Sequence, residues 1–541
     1  MNRVLHFTWI LLLSTLVGAS SSAQVPEEVD LLIRGGRIVD GSGSPWIRAD
    51  LAIRGDTIVA VGRGPVEPRR IIDASGMVVS PGFIDMHAHS EYGLIVDPRG
   101  LSKITQGVTT EVIGEHLSAG PVKGKAEDDP MMVSKPIERD WTTLGGFFDR
   151  LRKAGIGPNV ASYVGSGQVR ACVVGYEERP ASPAELEEMK ALVAEAMEEG
   201  AFGLASGLAY VPNAYASTEE LIELVKVAAS YGGFYVTHLR PGIEGLQEGI
   251  QIAREAGAPM DIFHMNSTSS SRVNEFVAEI EKARREGVDV TGNVYPYIAG
   301  WTYLKSLLPR SAQEGGNDAM LSRLRDETTR KAIVEEMQER EARRPRWERT
   351  FVSSYNPDVD GLSILDLGKK RNASPEEALI DLLSEQNGEG FQISFGNTEE
   401  NLAVALRQPW TTIGSDGCAL NIGMRTALGK PHPRSFGTHA RVLAKYVRDE
   451  NLISLTEAIR KMTSFPAARL GLADRGLLRP GMKADVVVFD PARIQDQATF
   501  KEPEQYATGI DWVLINGTAV VEEGKPTSAL PGRVLLGPGA K

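Results

Sequence analysis

Two imidazoles, His87 and His89, stand two residues apart in the apolar stretch PGFIDMHAHSE at 81–91. Side chains at i and i+2 of a strand share a face, so both rings can reach one metal ion, with Asp85 on the same side. An HxH pair alone is weak evidence, because a single histidine more often serves as a hydrogen-bonded core or surface residue. Polar residues recur, however, at the ends of four other apolar stretches: Glu115-His116, His238, His264 and Asp416. Of the eight histidines in the chain, four (His87, His89, His238 and His264) fall at predicted strand ends, and His116 lies just past another. Taken with Asp416, this concentration predicts a metal centre. Zinc accepts neutral imidazoles and carboxylates and leaves one position for water in catalytic sites. The ion brings the pKa of that water down to about 7. A nearby carboxylate must then move the proton to a leaving group. Asp416 is the candidate, with an Asp-Gly turn as its competing structural role.

These residues need a scaffold that gathers strand ends. Candidate strands lie at 78–87, 109–114, 159–165, 201–206, 234–239, 260–264, 288–295 and 411–416. Helical patterns at 183–199, 218–230, 245–256 and 272–286 alternate with them, the first opening on the Ser182-Pro183 cap pair. Eight strands alternating with helices predict an α/β fold, a (β/α)8 TIM-like barrel, whose chemistry sits at the carboxyl ends of the strands. No glycine-rich nucleotide loop follows a strand, which disfavours a dinucleotide-binding sheet. Residues 305–390, with the charged stretch 323–349, read as an inserted helical segment, either a solvated cap or a substrate-gating lid.

Both ends of the chain have a different texture. Residues 31–64 and 476–541 hold short β-branched runs broken by Gly and Asp, as antiparallel strands do. They predict one small β-sandwich domain built from 24–80 and 476–541, beside a barrel at 81–475. Residues 1–23 resemble a secretory signal: Arg3, an apolar run at 4–17, then Ser21-Ser22-Ala23. The run is shorter than the roughly 20 residues of a membrane span, which makes an anchor the competing reading and a secreted or periplasmic protein the expectation. The 541 residues are 42% hydrophobic, enough for a large core, with a net charge of −12 and no basic block, which argues against a nucleic-acid partner. Two cysteines, Cys172 and Cys418, exclude a disulfide framework and a CxxC metal site.

The chain resembles the amidohydrolase superfamily, and within it the N-acyl-D-amino-acid deacylase (D-aminoacylase) branch. The likeness covers nearly the whole mature chain. It runs through LLIRGGRIVDGSG, PGFIDMHAHSE, ITQGVTTEVIGE, GAFGLASGLAYVPNAYASTEEL, YVTHLR, VYPYIAG, GSDG and KPHPRSFGT. HxH and SDG are shared across the superfamily, whereas GLASGLAYVPNAYAS and PHPRSFGT are specific to the branch. The resemblance implies a zinc-dependent amidohydrolase with one or two ions, a metal-bound hydroxide attacking the amide, and a small substrate that carries a carboxylate. It matches His87 and His89 to one ligand pair, His238 and His264 to another, and Asp416 to the catalytic aspartate. It also matches Arg434 to an arginine that grips the substrate carboxylate and Tyr295 to a residue that orients it. A planar, permanently charged fork suits a carboxylate.

The chain departs from the family in three places. Where many relatives have a cysteine ligand it has Glu115 and His116, and Glu115 is favoured because a carboxylate can bridge two ions as a thiolate does. Asn266 stands where many relatives have lysine, and Trp301 where they often have a small hydroxyl residue; both are expected to line the substrate site. The leading reading is hydrolysis of N-acyl-D-amino acids. The same chemistry on dipeptides, cyclic amides or other carboxylate-bearing amides is the alternative. A barrel that has lost catalysis and serves as a binding protein is disfavoured by the intact ligand set.

Overall fold

The computed structural model describes residues 27–126, 137–265, 272–424 and 429–541; the expected signal segment and Asn266 lie outside them. Eight parallel strands form the barrel. They are β1 (Phe83–Asp85), β2 (Val108–Ile113), β3 (Asn159–Ser162, continuing as Val164–Gly165), β4 (Gly203–Gly207), β5 (Phe234–His238), β6 (Met260–Ile262), β7 (Val290–Val294) and β8 (Thr411–Ile413). The ring closes between β8 and β1, where Met86 N donates to Ile413 O at 3.4 Å and Ala88 bridges Gly417.

The expected strand at 78–87 is two strands in two domains. Val78–Pro81 belongs to the terminal β domain, and Phe83–Asp85 starts the barrel. Gly82 makes the transfer possible, since a Cβ there would meet Thr109 Oγ1 at 2.2 Å. The β domain is a nine-stranded sheet drawn from both ends of the chain. Its two halves meet where Val78–Pro81 pairs antiparallel with Val486–Phe489. Not all of 476–541 stays in it. After Lys525–Pro526 the chain runs along the barrel, pairing Ile156 with Pro531 and Val160 with Val534. The tail carries the mostly apolar run RVLL at 533–536 between glycines and prolines, which gives it the same strand-like texture in sequence as the segments before it.

The barrel helices follow their sequence signals closely. In Pro183–Glu198, Ser182 and Glu185 form a reciprocal capping box, and Met189, Leu192, Val193, Ala196 and Met197 bury one i, i+3, i+4 face. Between β7 and β8 the inserted segment builds its own apolar core around Leu304, Leu324, Met337, Ile364 and Leu379. It also contains an antiparallel sheet, unexpected from sequence, of Ala299–Tyr303, Phe391–Phe395 and Thr350–Ser353. Its strands are distant in sequence and too short for their alternation to stand out. Among the described residues, no helix is long and apolar enough to cross a membrane.

Candidate metal centre

The HxH segment leaving β1 and the SDG segment leaving β8 are zipped together by their backbones. Asp416 N donates to His87 O at 2.7 Å, and His89 N donates to Gly417 O at 3.0 Å. This pairing sets Asp416 beside both rings, with His89 Nε2 at 3.1 Å and His87 Nε2 at 3.7 Å from Asp416 Oδ1. Glu115, just beyond β2, reaches the same point: His87 Nε2 touches its Oε2, and His89 Nε2 lies 3.3 Å away. Its other oxygen faces His238, whose Nδ1 is 3.4 Å from Glu115 Oε1. His238 ends β5, in register with Gly207 of β4. His264, beyond β6, completes a second group with Glu115 and His238.

Two donor sets therefore share one carboxylate. One is His87, His89, Glu115 and Asp416; the other is Glu115, His238 and His264, each with its ligand atoms within 4.8 Å of one another. His116 belongs to neither set. Its ring is held between Gly167, where a Cβ would meet Nδ1 at 2.3 Å, and Tyr210, 5.4 Å away between centroids. Burial drives the His116 pKa down to about 3, so it stays neutral.

The donors suit a divalent cation. Imidazole nitrogens and carboxylate oxygens converging in a buried site repel unless positive charge lies among them. Without a metal, burial would discourage a proton on His89, yet the hydrogen bonds its ring donates to Asp416 and Glu115 draw its pKa up to about 10. Glu115 responds in reverse: burial would raise its pKa, but the charge of His87 and the close approach of the His238 and His87 ring nitrogens hold it well below the usual range. Buried Nδ1 of His238 makes no hydrogen bond. The backbone is also constrained here, for His264, Asp416 and His116 all take positive φ (35°, 52° and 55°). Such conformations cost about 1–3 kcal/mol each and persist where the surroundings over-determine them.

The expected substrate residues gather on the same side. Arg434, fully buried, places Nη1 2.8 Å from Asp416 Oδ2 and donates from Nη2 to Trp301 O at 3.1 Å. Its Nη1 approach is not aligned as a hydrogen bond, and its Nε has no partner. The guanidinium lies over the rings of Tyr295 (5.0 Å) and Trp301 (5.8 Å). Trp301 stacks on Phe391 at 4.6 Å. Trp301, Asp416, Arg434 and His264 line both a small cavity of about 40 Å³ and a wide one of about 1200 Å³. Tyr295 lines the wide one.

A model of the Amidohydrolase family matches residues 70–521. The chain belongs to the amidohydrolase family. It is 35% identical over 516 residues to the D-aminoacylase of Alcaligenes xylosoxydans xylosoxydans, spanning 94% of this chain and 97% of that protein. A solved D-aminoacylase, described by a binuclear metal centre with one-metal activation and second-metal attenuation, superposes with a TM-score of 0.80 at 34% identity. That match covers 94% of this chain and all of the other. An N-acyl-D-glutamate deacylase from Bordetella bronchiseptica, complexed with zinc and a phosphonate mimic of the reaction's tetrahedral intermediate, gives 0.80 at 31% identity with the same coverage. The chain thus lies in the D-aminoacylase branch of the family.

Residues outside the two donor sets hold this amidohydrolase site together. Asp85 does not turn to the donor sets; it accepts hydrogen bonds from Lys103 Nζ (2.8 Å), Ser415 N (2.7 Å) and His87 N (3.3 Å). Lys103 spends its remaining donors on Ser415 Oγ (2.8 Å) and Gly417 O (2.9 Å), with Glu111 3.4 Å away. One buried cation therefore clamps the HxH end to the SDG end. Asn293 of β7 likewise accepts from His264 N at 2.8 Å. The one available signal for Lys103 was a lysine within the apolar stretch LSKI. Lys103→Met should cost about 3–5 kcal/mol, as when one partner of a buried ion pair is removed. Adding Asp85→Asn should restore part of that loss. Urea unfolding measures both, and a loss under about 1 kcal/mol for the single variant would discount the clamp.

Proposed function

We propose that this amidohydrolase cleaves the amide bond of N-acyl-D-amino acids, with zinc held by His87, His89, Glu115, His238 and His264. The observation that carries the reading is Arg434: a buried guanidinium with an unpartnered Nε, beside Asp416 and on the wall of the cavity. A fork so placed suits a substrate carboxylate bound next to the reacting amide. The activities named for the D-aminoacylase and N-acyl-D-glutamate deacylase relatives support the same substrate class.

A divalent ion bound by these groups supplies Lewis acidity and a water acidic enough to ionise near neutral pH. The remaining work is the chain's own. Burial would raise the pKa of Asp416, but the charges of Arg434 and His87 hold it below the usual carboxylate range, so it stands ready as an anion. It takes the proton of the attacking water and delivers it to the departing amide nitrogen. Arg434 holds the substrate carboxylate, fixing which amide carbonyl faces Asp416. Neutral His116 and the rings of Tyr210 and Trp301 line the small cavity next to Asp416 and Arg434.

Paired D- and L-N-acetyl amino acids, with several dipeptides, offered to zinc-loaded protein give the direct test. Turnover is expected for D-isomers, with kcat/KM for the L-isomers lower by at least about 100-fold, as a mispositioned amide implies. Equal turnover of the two series, or hydrolysis of dipeptides alone, would overturn the proposal.

A further inference from the structure

The wide cavity extends well beyond what an N-acetyl amino acid requires. Its volume of about 1200 Å³ exceeds the roughly 300–1,000 Å³ of ordinary small-ligand pockets. Part of its wall comes from the inserted segment, which turns Arg310, Arg340, Arg344 and Arg346 toward it. Arg340 pairs with Glu336 on the same wall. Arg310, Arg344 and Arg346 form no ion pair among the described residues. Glu178, an exposed residue, is the carboxylate on the lining that remains to face them.

Arg346 shows how the cluster is held. Its guanidinium lies 4.7 Å over the Trp347 ring, and its Nη2 makes a long contact of 3.5 Å with Leu307 O. Glu341 is nearby but spends Oε1 on the backbone amides of Arg346 (2.7 Å) and Trp347 (3.0 Å), while its buried Oε2 makes no hydrogen bond. The arginines crowd one another. Burial, then the neighbouring charges of Arg240 and Arg340, lowers the Arg310 pKa; burial, followed by Arg340 and Arg344 against the opposing pull of Glu341, lowers that of Arg346. Like charges gathered on a concave wall focus a positive potential that an anion relieves. Guanidinium groups are the natural partners of a carboxylate.

We infer that Arg310, Arg344 and Arg346 form a second anion subsite, so that the preferred substrate carries one carboxylate for Arg434 and another for this wall. The inference rests on the amide-hydrolase reading and narrows its substrate class to dianionic N-acyl-D-amino acids. The second carboxylate sits on the acyl group or on the amino-acid side chain, and both attachments share this chemistry.

The test compares kcat/KM for N-succinyl-D-leucine, N-acetyl-D-glutamate and N-acetyl-D-leucine on zinc-loaded wild type, Arg344→Gln and the double variant Arg344→Gln/Arg346→Gln. At least one dianionic substrate should be preferred over N-acetyl-D-leucine. That ratio should fall about 10–100-fold in the double variant, the worth of hydrogen bonds to a charged group, and less in the single, exposed-site variant. Preference for the succinyl compound places the second carboxylate on the acyl side; preference for N-acetyl-D-glutamate places it on the side chain. Absence of any preference, or a ratio the double variant leaves unchanged, overturns the inference. If none of the three compounds turns over, the reaction assignment fails, and calorimetric binding of N-succinyl-D-leucine against N-acetyl-D-leucine decides the subsite by itself. Tighter binding of the dianion that the double variant abolishes supports it, and equal binding overturns it.

Discussion

Asp416→Asn is expected to keep metal at the Glu115–His238–His264 group and to lower kcat by about 10²–10⁴-fold, the range of a lost general acid–base. Asparagine preserves the shape of the side chain and an oxygen toward His89, which lies 3.1 Å from Asp416 Oδ1. It removes the negative charge beside Arg434 and the ability to carry a proton. Substrate binding should change less than turnover, because the Arg434 guanidinium keeps its anchor on Trp301 O. A fall in kcat and kcat/KM together would mark an interaction made in the transition state. Metal analysis alongside steady-state kinetics checks both halves. Turnover near the wild-type value would remove Asp416 from the proton path.

Glu115→Ala should have the largest effect on metal content. Its carboxylate is shared by both donor sets, so one substitution strips a ligand from each. Affinity is expected to fall by more than about 100-fold, beyond what outer positioning groups contribute. His116→Ala, one residue away, should retain the metal and instead lose about 3 kcal/mol of stability, as expected when a large buried ring is cut away. Its ring packs against Gly167 and Tyr210 and serves no donor set. Metal analysis after dialysis, with thermal unfolding of both variants, separates these outcomes. The reverse ranking would transfer the ligand role to His116.

The (β/α)8 barrel was legible in the alternation of apolar runs and capped amphipathic helices, because strand and helix periodicities are local properties. The helix Thr218–Ser230, for example, begins after its Ser217 cap and ends where the pattern does. The split at Pro81-Gly82 was not legible, since both strands are apolar and the break depends on Thr109 packing against Gly82 from another strand. Nor was the small sheet of the insertion, whose pairing joins Ala299–Tyr303 to Phe391–Phe395 across about ninety intervening residues of separate helices.

The site divides along the same line. Histidines at strand ends announce a metal centre, because a barrel delivers every strand end to one face. The sequence by itself therefore marked the donor types, imidazoles and carboxylates at the strand ends of a fold whose pattern is periodic, while Arg434 came only from the family resemblance. Only the tertiary structure decided which carboxylate is shared. Glu115 and His116 are neighbours in the chain, and the choice falls to packing, since Gly167 and Tyr210 enclose the His116 ring and leave Glu115 facing His87, His89 and His238. It also decided the role of Asp85, which periodicity placed on the ligand face and Lys103 drew into the clamp. The arginine wall belongs to this second class as well, for its members are scattered through the insertion and share a surface only after it folds over the barrel mouth.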